Sequence, residues 1–342
     1  MKNRIFIMYD TLKSLLFRLN PETAHHITLA SLNAVHSLGL TKCIPKPAAS
    51  ACTLMGITFP NRIGLAAGLD KNGDYIDALA ALGFGFVEVG TITPKPQAGN
   101  PLPRLFRYPE QEAIINRMGF NNKGSEYLLK RLQQTRFKGV LGVNIGKNRD
   151  TPIDNALEDY LHGFRTFAPF ATYITINISS PNTESLRALQ QAGMLKALLR
   201  NLKAEQALFA EQKRYVPIVV KIAPDLTPDD VEDIAAILLA EKVDGVIATN
   251  TTVSRDGLEH VPHINEKGGL SGQPLSVYST AIIQQLSSLL KGQIPIIASG
   301  GIVSAEDAAE KVAAGASLIQ LYTGLIYRGP KLIRECGKLF SA

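Results

Sequence analysis

From Asn61 onward, short apolar runs alternate with stretches in which apolar residues recur at helical spacing. The runs cover residues 63–66, 86–89, 140–145, 173–178, 218–222, 245–249, 294–298 and 318–321. Helices are predicted around 75–82, 124–134, 155–167, 194–210, 229–241, 275–290, 304–314 and 330–340. A run that is apolar on both faces suits a strand covered on both sides, and regular strand–helix alternation makes those strands parallel. Eight strands and eight helices within about 280 residues predict an α/β fold, a (β/α)8 TIM barrel. No internal repeat is present beyond this alternation. Two connections, 91–122 and 251–274, are long for such units, and long loops beyond strand ends shape sites.

The N-terminal segment has a different pattern. Leu12, Leu15, Leu16 and Leu19 recur at helical spacing. Asn20-Pro21-Glu22 then supplies a capping oxygen, a proline at the first helical position and an acid in the first turn. Ile27, Ala30, Ala34 and Leu38 form the next stripe, and Gly39 ends it. Residues 42–50, with Pro45 and Pro47, read as an extended linker. The expected organisation is a helical extension over 1–47 and a barrel over 48–342. Periodicity leaves two uses for the extension: a hairpin packed on the barrel, which it favours, or a device lying on a membrane surface.

Composition narrows the class. The chain has 342 residues, 45% hydrophobic and 19% charged, enough apolar material for a large core. The three cysteines, Cys43, Cys52 and Cys336, form no C-x-x-C pair, which argues against a disulfide scaffold, a zinc ribbon or an iron–sulfur cluster and suits a reducing compartment. No run approaches the ~18 apolar residues of a membrane span. Met1-Lys2-Asn3-Arg4 precedes only five apolar residues, against ~7–15 in a signal peptide. The net charge of +6 is too mild to argue for nucleic acid. Most of it lies in residues 1–60, where Lys2, Arg4, Lys13, Arg18, Lys42 and Lys46 face only Asp10 and Glu22. His25, His26 and His36 lie there too.

The candidate chemistry comes from polar residues in strands that should be apolar. Asn144, Asn177, Lys221, Thr249 and Asn250 sit at the C-terminal ends of four runs. A buried amide needs partners, and a buried ammonium needs an anion or acceptors. Together they point to a ligand rich in amide and carbonyl groups. Ser299-Gly300-Gly301 follows the seventh run and Tyr322-Thr323-Gly324 the eighth, where barrels of this class hold phosphate. A phosphorylated cofactor such as FMN satisfies both signals. Three near misses carry less. Gly142 to Asn148 is one residue short of a P-loop, and Gly83-Phe84-Gly85 lacks dinucleotide-fingerprint spacing. His260 and His263 have no evident third ligand, so no metal is expected.

Longer motifs connect these residues. Ala67-Gly68-Leu69-Asp70-Lys71-Asn72-Gly73, Asn116-Arg117-Met118-Gly119-Phe120-Asn121-Asn122, Asn144-Ile145-Gly146-Lys147-Asn148 and Asn177-Ile178-Ser179-Ser180-Pro181-Asn182-Thr183 resemble the dihydroorotate dehydrogenase family. So do Lys221-Ile222-Ala223-Pro224-Asp225, Ala248-Thr249-Asn250-Thr251-Thr252 and Gly269-Leu270-Ser271-Gly272. The resemblance runs from about Asn20 to the C-terminus. It implies oxidation of dihydroorotate to orotate in pyrimidine synthesis, with one FMN per subunit. It also implies that Ala67, Gly68, Leu69, Asp70, Lys71, Thr91, Asn144, Asn177, Lys221, Thr249, Gly272, Gly301, Tyr322 and Thr323 bind that cofactor. Lys71, Asn116, Arg117, Met118, Gly119, Phe120, Asn177, Asn182, Asn250 and Thr251 would hold the substrate. Ser180 would be the base, with Thr183 relaying its proton and Phe120 shielding it.

Soluble class 1 members of that family carry Cys at the base position, and Ser180 is similar to class 2. The resemblance then implies ubiquinone or menaquinone as final electron acceptor, reached through the extension, with His25, Arg107 and Tyr322 lining the access path. This reverses the preference drawn from periodicity: the extension is expected on a lipid surface, at the cytoplasmic face of a bacterial inner membrane. Residues 1–7 lack an Arg-rich, Ser-rich presequence. No nucleic acid and no obligate protein partner are expected. The rivals are a class 1-like enzyme using fumarate or NAD, an FMN barrel acting on tRNA uracil, and a non-enzymatic flavin scaffold.

Overall fold

The computed structural model describes residue 9 and residues 11–262 and 264–340. The strands β3 (Ile63–Leu65), β4 (Phe86–Ile92), β7 (Val140–Ile145), β8 (Tyr173–Asn177), β9 (Ile218–Ile222), β10 (Gly245–Ala248), β12 (Ile296–Ser299) and β13 (Leu318–Leu321) close into one barrel. All of its pairings are parallel. The expected TIM barrel is therefore the fold. Every residue of these strands is buried, because helices cover them outside and neighbouring strands crowd them inside. The surrounding helices include α2 (Ile76–Ala80), α3 (Ser125–Gln134), α4 (Ala156–Phe167), α5 (Ala192–Glu211), α6 (Pro228–Ala240), α7 (Ser276–Leu290) and α8 (Ala305–Ala313). Two starts carry full capping boxes, Thr227 with Asp230 on α6 and Ser304 with Asp307 on α8.

One end of the barrel is plugged. A hairpin of β1 (Cys52–Leu54) and β2 (Ile57–Phe59) lies beneath it. Ile57 and Phe59 join Phe86, Val140, Tyr173, Val219, Ile247, Ile297 and Leu318 in an apolar floor. Phe59 meets Phe86 edge to face at 5.3 Å. Gly64 and Gly142 make room for the large rings, since a Cβ on either would lie 2.2 Å from Phe86 or Tyr173. The open end is the C-terminal one.

The two long connections are not bare loops. Residues 91–122 contain β5 (Leu105–Tyr108) and β6 (Ala113–Asn116), which pair antiparallel with β11 (Gly269–Gly272) from the second connection. This small sheet has its own core of Tyr108, Ala113, Ile115, Val261, Ile264 and Leu270. Four-residue strands of mixed polarity give too little alternation to be read from sequence.

In the extension, residues 11–16 are helical and α1 spans Pro21–Ser37. Asn20 Oδ1 caps α1 by accepting from Glu22 N at 3.0 Å, as its sequence predicts. The extension is fastened to α9 (Thr323–Arg328): Tyr9 donates to Ile326 O at 2.8 Å and Lys13 Nζ to Tyr327 O at 3.0 Å. The segment expected to be a linker is a packed strap. It starts with a 3-10 turn over Leu40–Cys43, and a Cβ on Gly83 or Gly337 would lie 2.8 or 2.6 Å from the Pro47 ring.

Among the described residues no helix is long and apolar enough to cross a membrane, and no group of acids, histidines and cysteines is placed to hold a metal. Cys43, Cys52 and Cys336 are unpaired. Residues 1–7 and His263, which entered the sequence reading, lie outside the described residues.

Candidate active site

A cleft of about 960 Å³, measured out to open solvent, occupies the C-terminal mouth. Ala67, Gly68, Lys71, Thr91, Asn116, Met118, Gly119, Phe120, Asn177, Ser180, Asn182, Lys221, Thr249, Asn250, Thr251, Gly272, Gly301, Tyr322 and Thr323 line it. Nine separated stretches of sequence thus meet at one cleft, because parallel strands deliver their ends to one face. Leu69, Asp70, Asn144, Arg117, Thr183, His25 and Arg107 do not line it. Leu69 is turned into the core. The Asp70 carboxylate accepts from Asp74 N and Tyr75 N at 2.9 and 2.7 Å and so shapes the turn after β3; burial raises its pKa to about 6. Arg117 points away, pairing with Glu266 at 2.5 Å and stacking on Phe106.

Asn144 lies under the cleft in a buried polar layer. Its Oδ1 accepts from Thr91 Oγ1 at 2.6 Å and from Asn177 Nδ2 at 3.2 Å. Its Nδ2 donates to Glu88 Oε1 at 2.8 Å. Glu88 is fully buried, and its Oε2 accepts from Tyr173 at 2.9 Å and Gln320 Nε2 at 2.8 Å. Asn177 Oδ1 in turn accepts from Ser179 Oγ and Asn250 Nδ2, each at 3.3 Å. Burial pulls Lys221 below the ordinary lysine range, and the Glu88 charge opposes that pull. Sequence reasoning missed Glu88, Gln320 and Tyr173. Glu88 carries the signal that singled out Lys221, an ionisable side chain inside a buried strand.

The Ser180 loop is held from several sides. Ser180 is buried, and its Oγ accepts from Asn182 N at 3.2 Å. Asn182 Nδ2 donates to Asn116 Oδ1 at 3.2 Å. Thr183 Oγ1 is buried with no partner among the described groups. Arg187 donates from Nε to Ser179 O at 3.1 Å and from Nη2 to Thr251 O at 3.0 Å, and it pairs with Asp225 at 2.8 Å. Phe120 has a left-handed backbone, φ +53°, which its neighbours stabilise: Asn122 Nδ2 donates to its carbonyl at 2.7 Å. Its ring rests on Gly146, where a Cβ would come within 2.9 Å of it.

Charge gathers at the mouth. Lys71 Nζ donates to Gly68 O at 3.0 Å, and burial lowers its pKa to about 8. Glu22 of α1 raises it in opposition and also pairs with Arg104 at 2.7 Å. His25 is pushed down to about 3, by burial first and then by Lys71 and His26. Burial raises Tyr322 to about 12. Arg107 sits at the end of the first helical turn, donating to Phe17 O at 3.2 Å with its guanidinium 4.5 Å over the Phe17 ring.

The residues present fit a flat, amide-bearing cofactor with a phosphate. Gly301 has φ +74°, and a Cβ there would lie 2.2 Å from Ser276 Cα. Backbone therefore forms the wall at the loops where phosphate is expected. Gln320 Oε1 and Thr251 Oγ1, from two lining residues, are buried with no partner among the described groups, so ligand donors would be accommodated.

Comparison with known proteins bears on the same residues. The family model described as dihydroorotate dehydrogenase matches residues 50–339. The chain is 54% identical over 334 residues to a dihydroorotate dehydrogenase (quinone) of Nitrosospira multiformis, covering 97% of this chain and 96% of that one. It is 55% identical over 340 residues to one of Herminiimonas arsenicoxydans, covering 98% of both. Among solved structures, it is similar to a DHODH of Eimeria tenella in complex with ferulenol. The TM-score is 0.84 at 39% identity, over 93% of this chain and 90% of that one.

Proposed function

The chain belongs to the dihydroorotate dehydrogenase family, and on that premise we propose that it oxidises (S)-dihydroorotate to orotate in pyrimidine (UMP) synthesis, with FMN as hydride acceptor and membrane quinone as final acceptor. The observation that carries this reading is the convergence of Lys71, Asn116, Asn177, Ser180, Asn182 and Asn250 on one cleft with a glycine-rich end. When bound, the flavin supplies hydride acceptance at one side of the substrate ring and electron delivery to quinone. Everything else falls to the chain.

Asparagine suits a pyrimidine because each amide both donates and accepts, matching ring N–H and C=O groups. Asn116 and Asn182 are already bonded to each other, and so are Asn177 and Asn250, which fixes the direction of each before the substrate arrives. Ser180 removes the C5 proton. Serine is a weak base alone, so its own proton must leave as the substrate's arrives; the unpartnered Thr183 Oγ1 is the nearby relay group in this reading. Phe120 excludes bulk water. Lys71 and Lys221 place positive charge beside the charge that develops on substrate and cofactor.

Two expectations follow for binding. Dihydroorotate carries a carboxylate, so a protonated Lys71 favours it. Lys71 is charged below about 8 and loses its proton above, so kcat/KM is flat at lower pH and falls about tenfold per unit beyond it. A profile still flat at about pH 9.5 removes Lys71 from this role. Gly301→Ala places a methyl against Ser276 in a left-handed backbone, which weakens flavin binding about 10-fold or more. Flavin absorbance per folded chain checks it, with a lowered melting temperature expected alongside because the methyl meets the Ser276 backbone.

The extension serves the second acceptor. Leu12, Leu15, Leu38 and Leu40 are exposed, Leu38 by 75%. Lys13, Arg18, Lys42 and Lys46 lie in the same extension. Exposed leucines beside basic residues suit a lipid surface of anionic headgroups. His25, Arg107 and Tyr322 would border the path from that surface, at the cytoplasmic face of the bacterial membrane, for ubiquinone or menaquinone. Anaerobic bleaching of the bound flavin by dihydroorotate, then reoxidation by quinone in detergent, tests the whole reading. A colourless protein that takes up no FMN overturns it.

A further inference from the structure

We propose that Lys311 is a positioning residue for the phosphate end of the flavin. It fastens the first turn of α7 beside the Gly300-Gly301 loop and places a positive charge behind that backbone wall, so that the cleft selects a phosphorylated flavin over its dephosphorylated form. The inference rests on the flavin-dependent reading above. Lys311 lies on α8 and is wholly buried. Its Nζ donates to Thr280 Oγ1 at 2.5 Å, Ser276 O at 2.7 Å, Ser279 Oγ at 2.8 Å and Ser276 Oγ at 3.1 Å. All four oxygens belong to residues 276–280 at the start of α7, and none is a carboxylate. Two of these residues carry the glycine loop. Ser279 Oγ donates to Gly300 O at 2.9 Å. A Cβ on Gly301 would lie 2.2 Å from Ser276 Cα and 2.5 Å from Ser276 N. Gly300 and Gly301 line the cleft. Ser276 thus meets Lys311 on one side and the wall where phosphate is expected on the other.

The placement itself points to an anion. A cation beside a helix N-terminus stands at the positive end of the helix dipole, and burial removes the water that would screen it. Asp307 and Glu310 are the acids whose charges reach Lys311, and neither is among its hydrogen-bond partners. Asp307 Oδ2 accepts instead from Ser304 N at 2.8 Å and from Val303 N and Ser304 Oγ at 2.9 Å, and Glu310 is exposed. Burial lowers Lys311 to about 8 while the two acids oppose it, so the group is cationic at neutral pH. For joining α8 to α7 alone, an apolar side chain of similar volume serves as well. A phosphate held in front of the same turn offsets both the dipole and the buried charge.

The test measures flavin affinity at neutral pH in wild type, K311M and S279A, with FMN and riboflavin as the two probes. Fluorescence of flavin released on dilution, or exchanged for the other flavin, gives each Kd. Wild type is expected to hold FMN about 100-fold or more tighter than riboflavin. K311M should weaken FMN about tenfold or more and riboflavin by less than about threefold. S279A keeps the charge but cuts the bond to Gly300 O, and should weaken FMN about threefold or more with riboflavin unchanged. A K311M loss shared equally by the two flavins is merely structural and overturns the proposal, as does wild-type FMN affinity in K311M. So does wild-type FMN affinity in S279A, which decides alone should K311M fail to fold. Equal affinity of the wild type for the two flavins also overturns it. A wild type that binds neither flavin, or is not bleached by dihydroorotate, sinks the functional reading itself.

Discussion

Replacing Ser180 by alanine should slow anaerobic flavin reduction by dihydroorotate about 10³-fold while FMN stays bound and the fold is kept. The two effects separate because the hydroxyl has little structural work. Its Oγ accepts one backbone bond, from Asn182 N at 3.2 Å, and losing an acceptor costs about 1 kcal/mol. The chemical loss is larger, since the substitution removes the proposed base itself. Stopped-flow bleaching, flavin absorbance and a thermal melt measure the three quantities. Turnover within about tenfold of wild type would take the base role away from Ser180.

Removing residues 1–44 should cut quinone-dependent turnover about 100-fold or more and abolish sedimentation with anionic vesicles, while dihydroorotate still bleaches the flavin. The cut spares Pro47, which fills space beside Gly83 and Gly337 and belongs to the barrel's packing. What is lost is the exposed leucine surface, the bonds to α9 and the Glu22–Arg104 pair. Full quinone turnover after truncation would place the acceptor path elsewhere.

The barrel was legible because its strands are buried on both faces, and a run such as Val140–Ile145 can hardly be anything else. The plug and the mouth sheet were hidden because strands of three or four residues carry no period. The same burial argument that exposed Asn144 and Lys221 applies to Glu88, a carboxyl side chain inside a wholly buried strand. Motif likeness carried Leu69 and Asp70 along with Gly68 and Lys71, but a turn sends adjacent side chains different ways. Only the fold separates those that face the cleft from those that build the turn. Pro45 and Pro47 looked like linker residues because a proline's backbone preference says nothing about what its ring packs against.

The hydrocarbon floor formed by the β1–β2 hairpin has an electrical consequence. It insulates the ionic layer above it from bulk solvent, so that layer exchanges protons only through the mouth. Once ligands fill the mouth, the buried Glu88 and Lys221 lose their short route to bulk solvent.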